Sequence, residues 1–279
     1  MNFITSNFNI TILIILIIPL LIWGPFFPDL IVSLSSLVFL VYVFKKQEYK
    51  YFKIKPLIIF FLFCLYCILV SIFVAEDMRL SFESSLFYFR IGVFSCLVWY
   101  LIEQDKNILD YFYYVLVICF SALVLDGYLQ YVTGFNIIGL PASGVRISSF
   151  FGDELIMGSY LARLFPLLFA LFVIKQKKKY EMYFIGLLFI LLDILIYVSG
   201  ERTAFYFLNL STVFIIILIK QYQKFRLATF IIAFFLIGAI TLSNPKLKDR
   251  MIDSAVKTIG LSNESKEKYI FTPAHDSLI

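Results

Sequence analysis

Long runs of apolar residues, separated by short polar stretches, constrain the fold of this chain more than any other feature. A helix needs about 20 apolar residues to cross the hydrocarbon core of a bilayer, and backbone polar groups in lipid must be hydrogen-bonded within their own segment. The runs are too long and too uniformly apolar to be barrel strands. We therefore predict an all-α, polytopic integral membrane protein. Its predicted transmembrane helices, about nine in number, lie at 8–23, 28–44, 56–75, 84–102, 108–125, 154–174, 182–199, 203–219 and 227–243.

The composition agrees with this architecture. Hydrophobic residues make up 61% of the chain and charged residues 15%, whereas a soluble domain is about 45–50% apolar and about 25% charged. The formal net charge is +5, which we attribute to basic residues in cytoplasmic loops and not to nucleic-acid binding. The four cysteines lie in apolar runs and the chain has one histidine, so we predict neither a metal site nor a cofactor.

Basic residues collect in three of the loops between the predicted helices, and all three loops lie on one side of a nine-helix bundle. The positive-inside rule makes that side cytoplasmic. The N-terminus is then cytoplasmic as well, and the segment from Asn244 lies outside. The basic residues are Lys45, Lys46, Lys50, Lys53 and Lys55 in the first loop, Lys175, Lys177, Lys178 and Lys179 in the second, and Lys220, Lys224 and Arg226 in the third.

Two stretches on the predicted outer side are long. We predict a helical bundle over 1–243 that includes an outer loop at 126–153, where Gly and Pro argue against a continuous helix. The polar segment 244–279 is predicted to be a second outer (periplasmic) loop that is cut short. We expect further helices beyond Ile279.

Three charged residues, Arg90, Arg163 and Asp193, fall within predicted helices. A charge near the bilayer centre costs about 2.5–3.5 kcal/mol on insertion scales, so each needs a partner or a watery cavity. One interpretation is a structural ion pair of Asp193 with Arg163 or Arg90. The other is a polar cavity that opens outward, because four further ionisable residues lie on the same predicted side. These are Arg146, Glu154, Arg202 and His275.

The stretch VSGERTAFYF, residues 198–207, places Glu201 and Arg202 between two apolar runs. Arg202 is either a membrane-interface anchor or, at the start of the next helix, a bidentate donor in an anion site. Glu201 either orients Arg202 or pairs with another arginine. His275 is either an ordinary surface residue or a general base, since the usual histidine pKa lies near neutrality. Ser199 has no neighbouring base that would make it a nucleophile.

Four stretches, in order along the chain, resemble motifs of the O-antigen ligase and O-antigen polymerase superfamily of bacterial surface-polysaccharide enzymes. They are similar to the family's Asp…Tyr-x-Gln…Gly, Arg-x-Ser-x-x-Phe-Gly, Ser-x-x-Arg and outer-loop His motifs. The resemblance covers 126–279, and the first five predicted helices match only in general hydropathy. The four stretches are DGYLQYVTGFNIIG, RISSFFGDELIMGSYLARLFPLL, SGERTAF and HDSLI.

The resemblance implies a metal-independent glycosyltransferase of the bacterial cytoplasmic (inner) membrane, with its active face on the periplasmic side. The donor would be a glycan on undecaprenyl pyrophosphate. The acceptor hydroxyl would belong to lipid A-core or to another lipid-linked repeat unit, in the biosynthesis of lipopolysaccharide or a related surface polysaccharide. The choice between ligase and polymerase stays open.

The resemblance also implies roles for individual residues. Arg146 and Arg202 would bind the pyrophosphate, and His275 would take the proton from the acceptor hydroxyl. Arg202 and His275 are therefore the candidate catalytic residues. Arg163 or Arg90 would assist in binding the pyrophosphate. The candidate supporting residues are Glu154, Asp193 and Glu201.

A different class of function is a transporter or flippase of a polar or anionic substrate. Arg90, Arg163 and Asp193 would then line the substrate path. Such a path predicts charged residues at or below the middle of the membrane and a route to the cytoplasm. An assembly or structural subunit is a third interpretation.

Overall fold

The computed structural model describes residues 3–175, 179–253 and 256, and side chains from Ile10 onward. Most helices follow one another with short connections, as expected when apolar runs alternate with polar breaks, and the long exception is the loop 134–156 between α6 and α7. Their bounds are α1 Phe3–Trp23, α2 Phe26–Lys46, α3 Lys55–Phe73, α4 Met78–Leu86, α5 Phe89–Gln104, α6 Asn107–Thr133, α7 Met157–Ile174, α8 Lys179–Val198, α9 Arg202–Leu218, α10 Gln223–Ser243 and α11 Pro245–Lys248.

The prediction of an all-α polytopic membrane protein is confirmed. The described residues contain no strand, only two isolated bridges. Within them, seven helical segments are long and apolar enough to cross a membrane, and α4 and α5 together form one of these. The side chains of α1 are described from Ile10, and this part (Ile10–Trp23) is apolar but too short to count by itself, as is the whole of α9. The structure therefore supports seven spans by length, and the figure of nine depends on those two shorter helices.

The sixth helix is longer than predicted. It continues to Thr133, so the first eight residues of the predicted loop 126–153 are helical. Gly127 lies within this extension, and a Cβ added there would lie 2.9 Å from Cδ1 of Leu195. A glycine in this helix thus permits close approach to α8 instead of ending the helix.

The chain forms two compact units, Met1–Cys119 and Phe120–Ile279. The first has a core of aromatic side chains, with Phe39, Tyr51 and Tyr100 all buried and their rings in edge or tilted contact. The second contains α7 to α11 and the loop before α7. The predicted boundary at 243 stays a prediction, since most of the segment after it lies outside the described residues.

In the second unit α8 and α10 run parallel. Gly186 of α8 lies against Phe225 and Thr229 near the start of α10. Further along, the Tyr197 hydroxyl is 2.8 Å from Oγ1 of Thr241 near the end of α10. The two helices therefore run in the same direction. Helix α9, which connects them in sequence, runs in the opposite direction.

A buried ion pair joins these helices. Arg226, in the first turn of α10, donates to both carboxylate oxygens of Asp193, at 2.8 and 3.0 Å. It also donates to Oγ1 of Thr212 in α9 at 2.6 Å. The exposed fractions of the Arg226 and Asp193 side chains are 0% and 2%. The predicted pairing of Asp193 with Arg163 or Arg90 is therefore wrong, as is the placement of Arg226 in a loop.

Candidate functional site

The turn between α8 and α9 is the centre of the site. Helix α8 ends at Val198 and α9 begins at Arg202. Gly200 has φ +73, in the left-handed region that favours glycine, so three residues suffice to reverse the chain here. Ser199 is fully buried, and its hydroxyl donates to the carbonyl of Ile196 at 2.8 Å. Ser199 therefore serves the turn and offers no accessible nucleophile.

Three arginines converge on this turn. Arg250 donates from Nε to the carbonyl oxygen of Gly200 at 2.9 Å. A Cβ added at Gly200 would lie 2.9 Å from that same nitrogen and 3.4 Å from Cγ of Arg146. Both side chains thus pack on the glycine, and Arg202 is the second residue after it. Glycine is required here by its backbone conformation and also by the two arginines.

The charges of Arg146 and Arg202 both act on Arg250. Burial lowers the pKa of its guanidinium, and the positive charges of Arg146 and Arg202 lower this pKa further. The negative charge of Glu201 acts in the opposite direction. Cations that repel one another in a partly buried space attract an anion, because the anion relieves the repulsion.

The cluster retains unused hydrogen-bond donors. Arg146 donates from Nη2 to the carbonyl of Leu155 at 2.6 Å, whereas its buried Nε has no partner in the described part of the chain. Arg202 is exposed and forms no hydrogen bond or ion pair with any described residue. No side chain caps the N-terminus of α9. These donors and the helix N-terminus suit an oxyanion such as a phosphate.

Buried polar residues hold the loop that carries Arg146. Gln130 accepts from the backbone N–H groups of Ser148 and Ser149 at 3.0 and 2.7 Å. Asp126 accepts from the Ser149 hydroxyl and from the N–H of Ile137. The φ of Ser149 is +51, which a non-glycine residue adopts only when its surroundings enforce it. The motif containing Asp126 and Gln130 therefore fixes the loop two residues beyond Arg146.

Glu201 does not pair with an arginine. Its Oε1 accepts from the N–H of Gly158 at 2.6 Å, and its Oε2 accepts from the N–H and hydroxyl of Ser159 at 3.0 and 2.7 Å. These residues belong to the first turn of α7, whose N–H groups have no partner within the helix. Of the two sequence-based roles for Glu201, pairing with another arginine does not match these contacts, and orientation of Arg202 stays a prediction.

A surface cavity of about 500 Å³ adjoins the cluster. Arg250 forms part of its wall, as does Val145, the neighbour of Arg146. The remaining lining residues are Pro245, Lys246 and Asp249. A ligand bound to the arginines therefore has room to extend over a surface that carries one carboxylate and two cations.

The other residues predicted for the site lie elsewhere or have other partners. Arg90, in the first unit, is held by Asp29 and by the Ser33 hydroxyl at 2.7 Å. Arg163 and Glu154 are exposed, and neither forms an ion pair with a described residue. His275 lies outside the described residues. Of the four arginines predicted to bind pyrophosphate, only Arg146 and Arg202 are brought together.

Arg250 is the functional candidate that sequence reasoning missed. It lies in the polar segment after α10, in a single turn of π-helix over Asp249–Asp253. Its distance along the chain from Gly200 is 50 residues. One sequence signal was available: the segment follows an outer helix end and contains an arginine, the side chain best suited to binding phosphate.

Within the described residues, no group of three or more His, Cys, Asp or Glu side chains could hold a metal ion.

Gly158 provides a stability prediction for the contact between α7 and the turn. We expect Gly158→Ala to lower the free energy of unfolding by about 1–3 kcal/mol, the usual cost of overpacking. The new Cβ would lie 2.6 Å from Oγ of Ser199 and 3.0 Å from Oε1 of Glu201. The measurement is thermal or denaturant-induced unfolding in detergent.

Gly238→Ala in α10 is the matched control, because nothing lies within 4 Å of the Cβ it would add. Alanine in an open helix position should be neutral or stabilising by up to about 1 kcal/mol. Equal stability of the Gly158→Ala variant and the wild type would contradict the tight packing at the turn.

No protein-family model, no curated protein and no solved structure matches this chain.

Proposed function

We propose that this chain is a membrane glycosyltransferase that moves a glycan from undecaprenyl pyrophosphate to an acceptor hydroxyl, in the manner of O-antigen ligases and polymerases. The observation that carries the proposal is the convergence of Arg146, Arg202 and Arg250 on the α8–α9 turn, with donors left unused. A diphosphate is the substrate group that such a cluster fits best.

The reaction that we propose is a displacement at the anomeric carbon of the donor sugar. The acceptor oxygen forms a bond to this carbon while the bond from the carbon to the pyrophosphate oxygen breaks. His275 takes the proton of the acceptor hydroxyl. Negative charge develops on the departing undecaprenyl pyrophosphate, and the three arginines stabilise it. The glycan would extend from the cluster along the adjoining cavity.

The setting of this reaction is part of the same proposal. Basic loops on one side of the bundle favour a cytoplasmic N-terminus, and the α8–α9 turn would then lie on the opposite face. In a bacterial cytoplasmic membrane that face is periplasmic. There it meets lipid-linked glycans and, as acceptors, lipid A-core or further lipid-linked repeat units. Membrane lipid would surround the helices and is the remaining proposed partner.

Transport of a polar or anionic substrate is supported less well. A substrate path through the membrane would need charged groups free to interact with the substrate. Asp193 and Arg226 lie within helices, but they are almost completely buried and bind each other. Arg90 has Asp29 as its partner. For Asp193 and Arg90 these contacts favour structural ion pairs over a transport path, whereas Arg163 is exposed and has no partner among the described residues.

The activity test is complementation of a strain that lacks the gene. We expect Arg202→Ala and His275→Ala in the full-length protein to abolish polymer bands on gels of extracted polysaccharide, while the protein still enters the membrane. Arg79→Ala is a matched control, because Arg79 is exposed and, among the described residues, pairs only with Glu83 one turn away. Wild-type banding from both site variants would contradict the mechanism.

Arg202→Lys separates the two interpretations of Arg202. A membrane anchor tolerates lysine, whereas a bidentate diphosphate ligand does not.

The polysaccharide bands of the deletion strain distinguish a ligase from a polymerase. Loss of a polymerase leaves single repeats on the core, and loss of a ligase leaves bare core with accumulated lipid-linked polymer.

A further inference from the structure

Glu201 is a carboxylate placed among three arginines that forms no salt bridge with any of them in the described chain. Its negative charge raises the pKa of Arg250. Both of its carboxylate oxygens, however, accept hydrogen bonds from the first turn of α7. The residue is buried, with 7% of its surface exposed. A carboxylate this close to the cluster repels a bound anion and so weakens its binding. Its presence in an anion site therefore calls for an explanation.

The hydrogen bonds give a mechanical reason. The N–H groups of Gly158 and Ser159 are the second and third of α7, and they point out of the helix end without an internal partner. Glu201 binds both, together with the Ser159 hydroxyl, from 43 residues further along the chain. Hydrogen bonds to a charged acceptor are about twice as strong as neutral ones. The start of α9 is thereby fastened to the start of α7.

The position of Glu201 in the turn links this contact to the arginines. The residue before it, Gly200, supplies the carbonyl that accepts from Arg250. The residue after it is Arg202, the first residue of α9. Movement of Glu201 would therefore displace the backbone of both neighbours.

We propose that Glu201 is a positioning residue that holds the Gly200–Arg202 turn against α7, so that Arg146, Arg202 and Arg250 converge on one diphosphate. The proposal rests on the proposed function, because it assigns the anion site to the same cluster. The competing explanation is electrostatic: Glu201 offsets part of the cationic charge of the cluster and has no effect on its geometry.

The two explanations predict opposite signs for Glu201→Gln. Removing one negative charge beside three cations strengthens the attraction for an anion, so an electrostatic role predicts tighter binding of diphosphate. A positioning role predicts weaker binding, because Gln replaces one acceptor oxygen with an NH₂ group that cannot accept from Ser159. We expect the affinity to fall by about tenfold or more, since hydrogen bonds to a charged group are lost.

The experiment is titration of the purified full chain in lipid nanodiscs with inorganic pyrophosphate. Glu201→Asp keeps the charge but shortens the side chain, so it should also weaken binding. Ser159→Ala keeps the charge and removes one of the bonds, and should weaken binding by less. The double variant Ser159→Ala/Glu201→Gln should bind little more weakly than Glu201→Gln alone, because contacting residues are not additive. Each variant is first checked for wild-type helix content.

Affinity for pyrophosphate that is unchanged or increased in Glu201→Gln would overturn the positioning role. Absence of binding by the wild type itself would instead overturn the proposed anion site. Hydrogen exchange then still decides the positioning role, because it needs no ligand. We expect the backbone N–H groups of Gly200 and Phe205, which are hydrogen-bonded on either side of Glu201, to exchange faster in Glu201→Gln, and equal rates in the two proteins would overturn the proposal.

Discussion

Replacement of Asp193 by Ala is expected to lower the free energy of unfolding by about 3–5 kcal/mol, the usual cost of removing one partner from a buried ion pair. The variant leaves the guanidinium of Arg226 without a counter-charge in a site where 0% of its side chain is exposed. Thr212 still accepts one hydrogen bond, and the Phe165 ring lies 4.5 Å from the guanidinium carbon. A hydroxyl and a ring do not replace a carboxylate.

The measurement is unfolding by SDS titration in mixed micelles, with Glu83→Ala as control. Glu83 also pairs with an arginine, but that pair is exposed and should contribute less than about 1 kcal/mol. The double variant Asp193→Leu/Arg226→Met removes both charges and should regain most of the lost stability, as buried pairs replaced by apolar residues often do. A loss below about 1 kcal/mol in Asp193→Ala would contradict the buried pair.

Arg250→Ala is expected to reduce polymer formation at least about 100-fold, as loss of one preorganised donor for a developing anion does. The variant removes a cation from the cluster and also the hydrogen bond to the Gly200 carbonyl. Arg250→Lys restores the charge but not the planar donor set, so it should recover only part of the activity. The measurement is banding of extracted polysaccharide by strains that contain equal amounts of each variant in their membranes.

Lys248→Ala is the matched control for Arg250. Lys248 is an exposed cation two residues earlier in the same segment, and it does not line the cavity beside the cluster. If a change in overall charge caused the loss, both variants would show it. Normal banding from Arg250→Ala would contradict a role for Arg250, and the proposed anion site would then consist of Arg146 and Arg202.

Long apolar runs predicted the helices well, because a segment that crosses lipid must form its backbone hydrogen bonds within itself. The helix ends were predicted less well. Asp126 and Gln130 were predicted to lie in a loop because the stretch 126–153 contains Gly and Pro, but they occupy the final turns of α6 and are buried against the loop that follows. A hydropathy scale treats a buried amide and a solvated amide alike, and only the three-dimensional contacts separate them.

Contacts between residues far apart in the chain could not be predicted from the sequence. Asp193 was recognised as needing a partner, but Arg226 was counted as a loop residue because it lies at the start of α10. A long side chain reaches across more than a turn of its helix, so its charge acts at a depth that the position of its Cα does not reveal. Arg250 and Gly158 likewise meet the α8–α9 turn through contacts 50 and 43 residues apart along the chain.

The buried ion pair also bears on how the protein is made. Asp193 is synthesised 33 residues before Arg226, a delay of roughly 2–7 s at about 5–20 residues per second. During that interval α8 carries an unpaired carboxylate, which costs about 2.5–3.5 kcal/mol near the bilayer centre. We therefore expect α8 to remain beside the insertion machinery until α10 emerges from the ribosome. The three helices would then enter the lipid together, as a single unit of biogenesis.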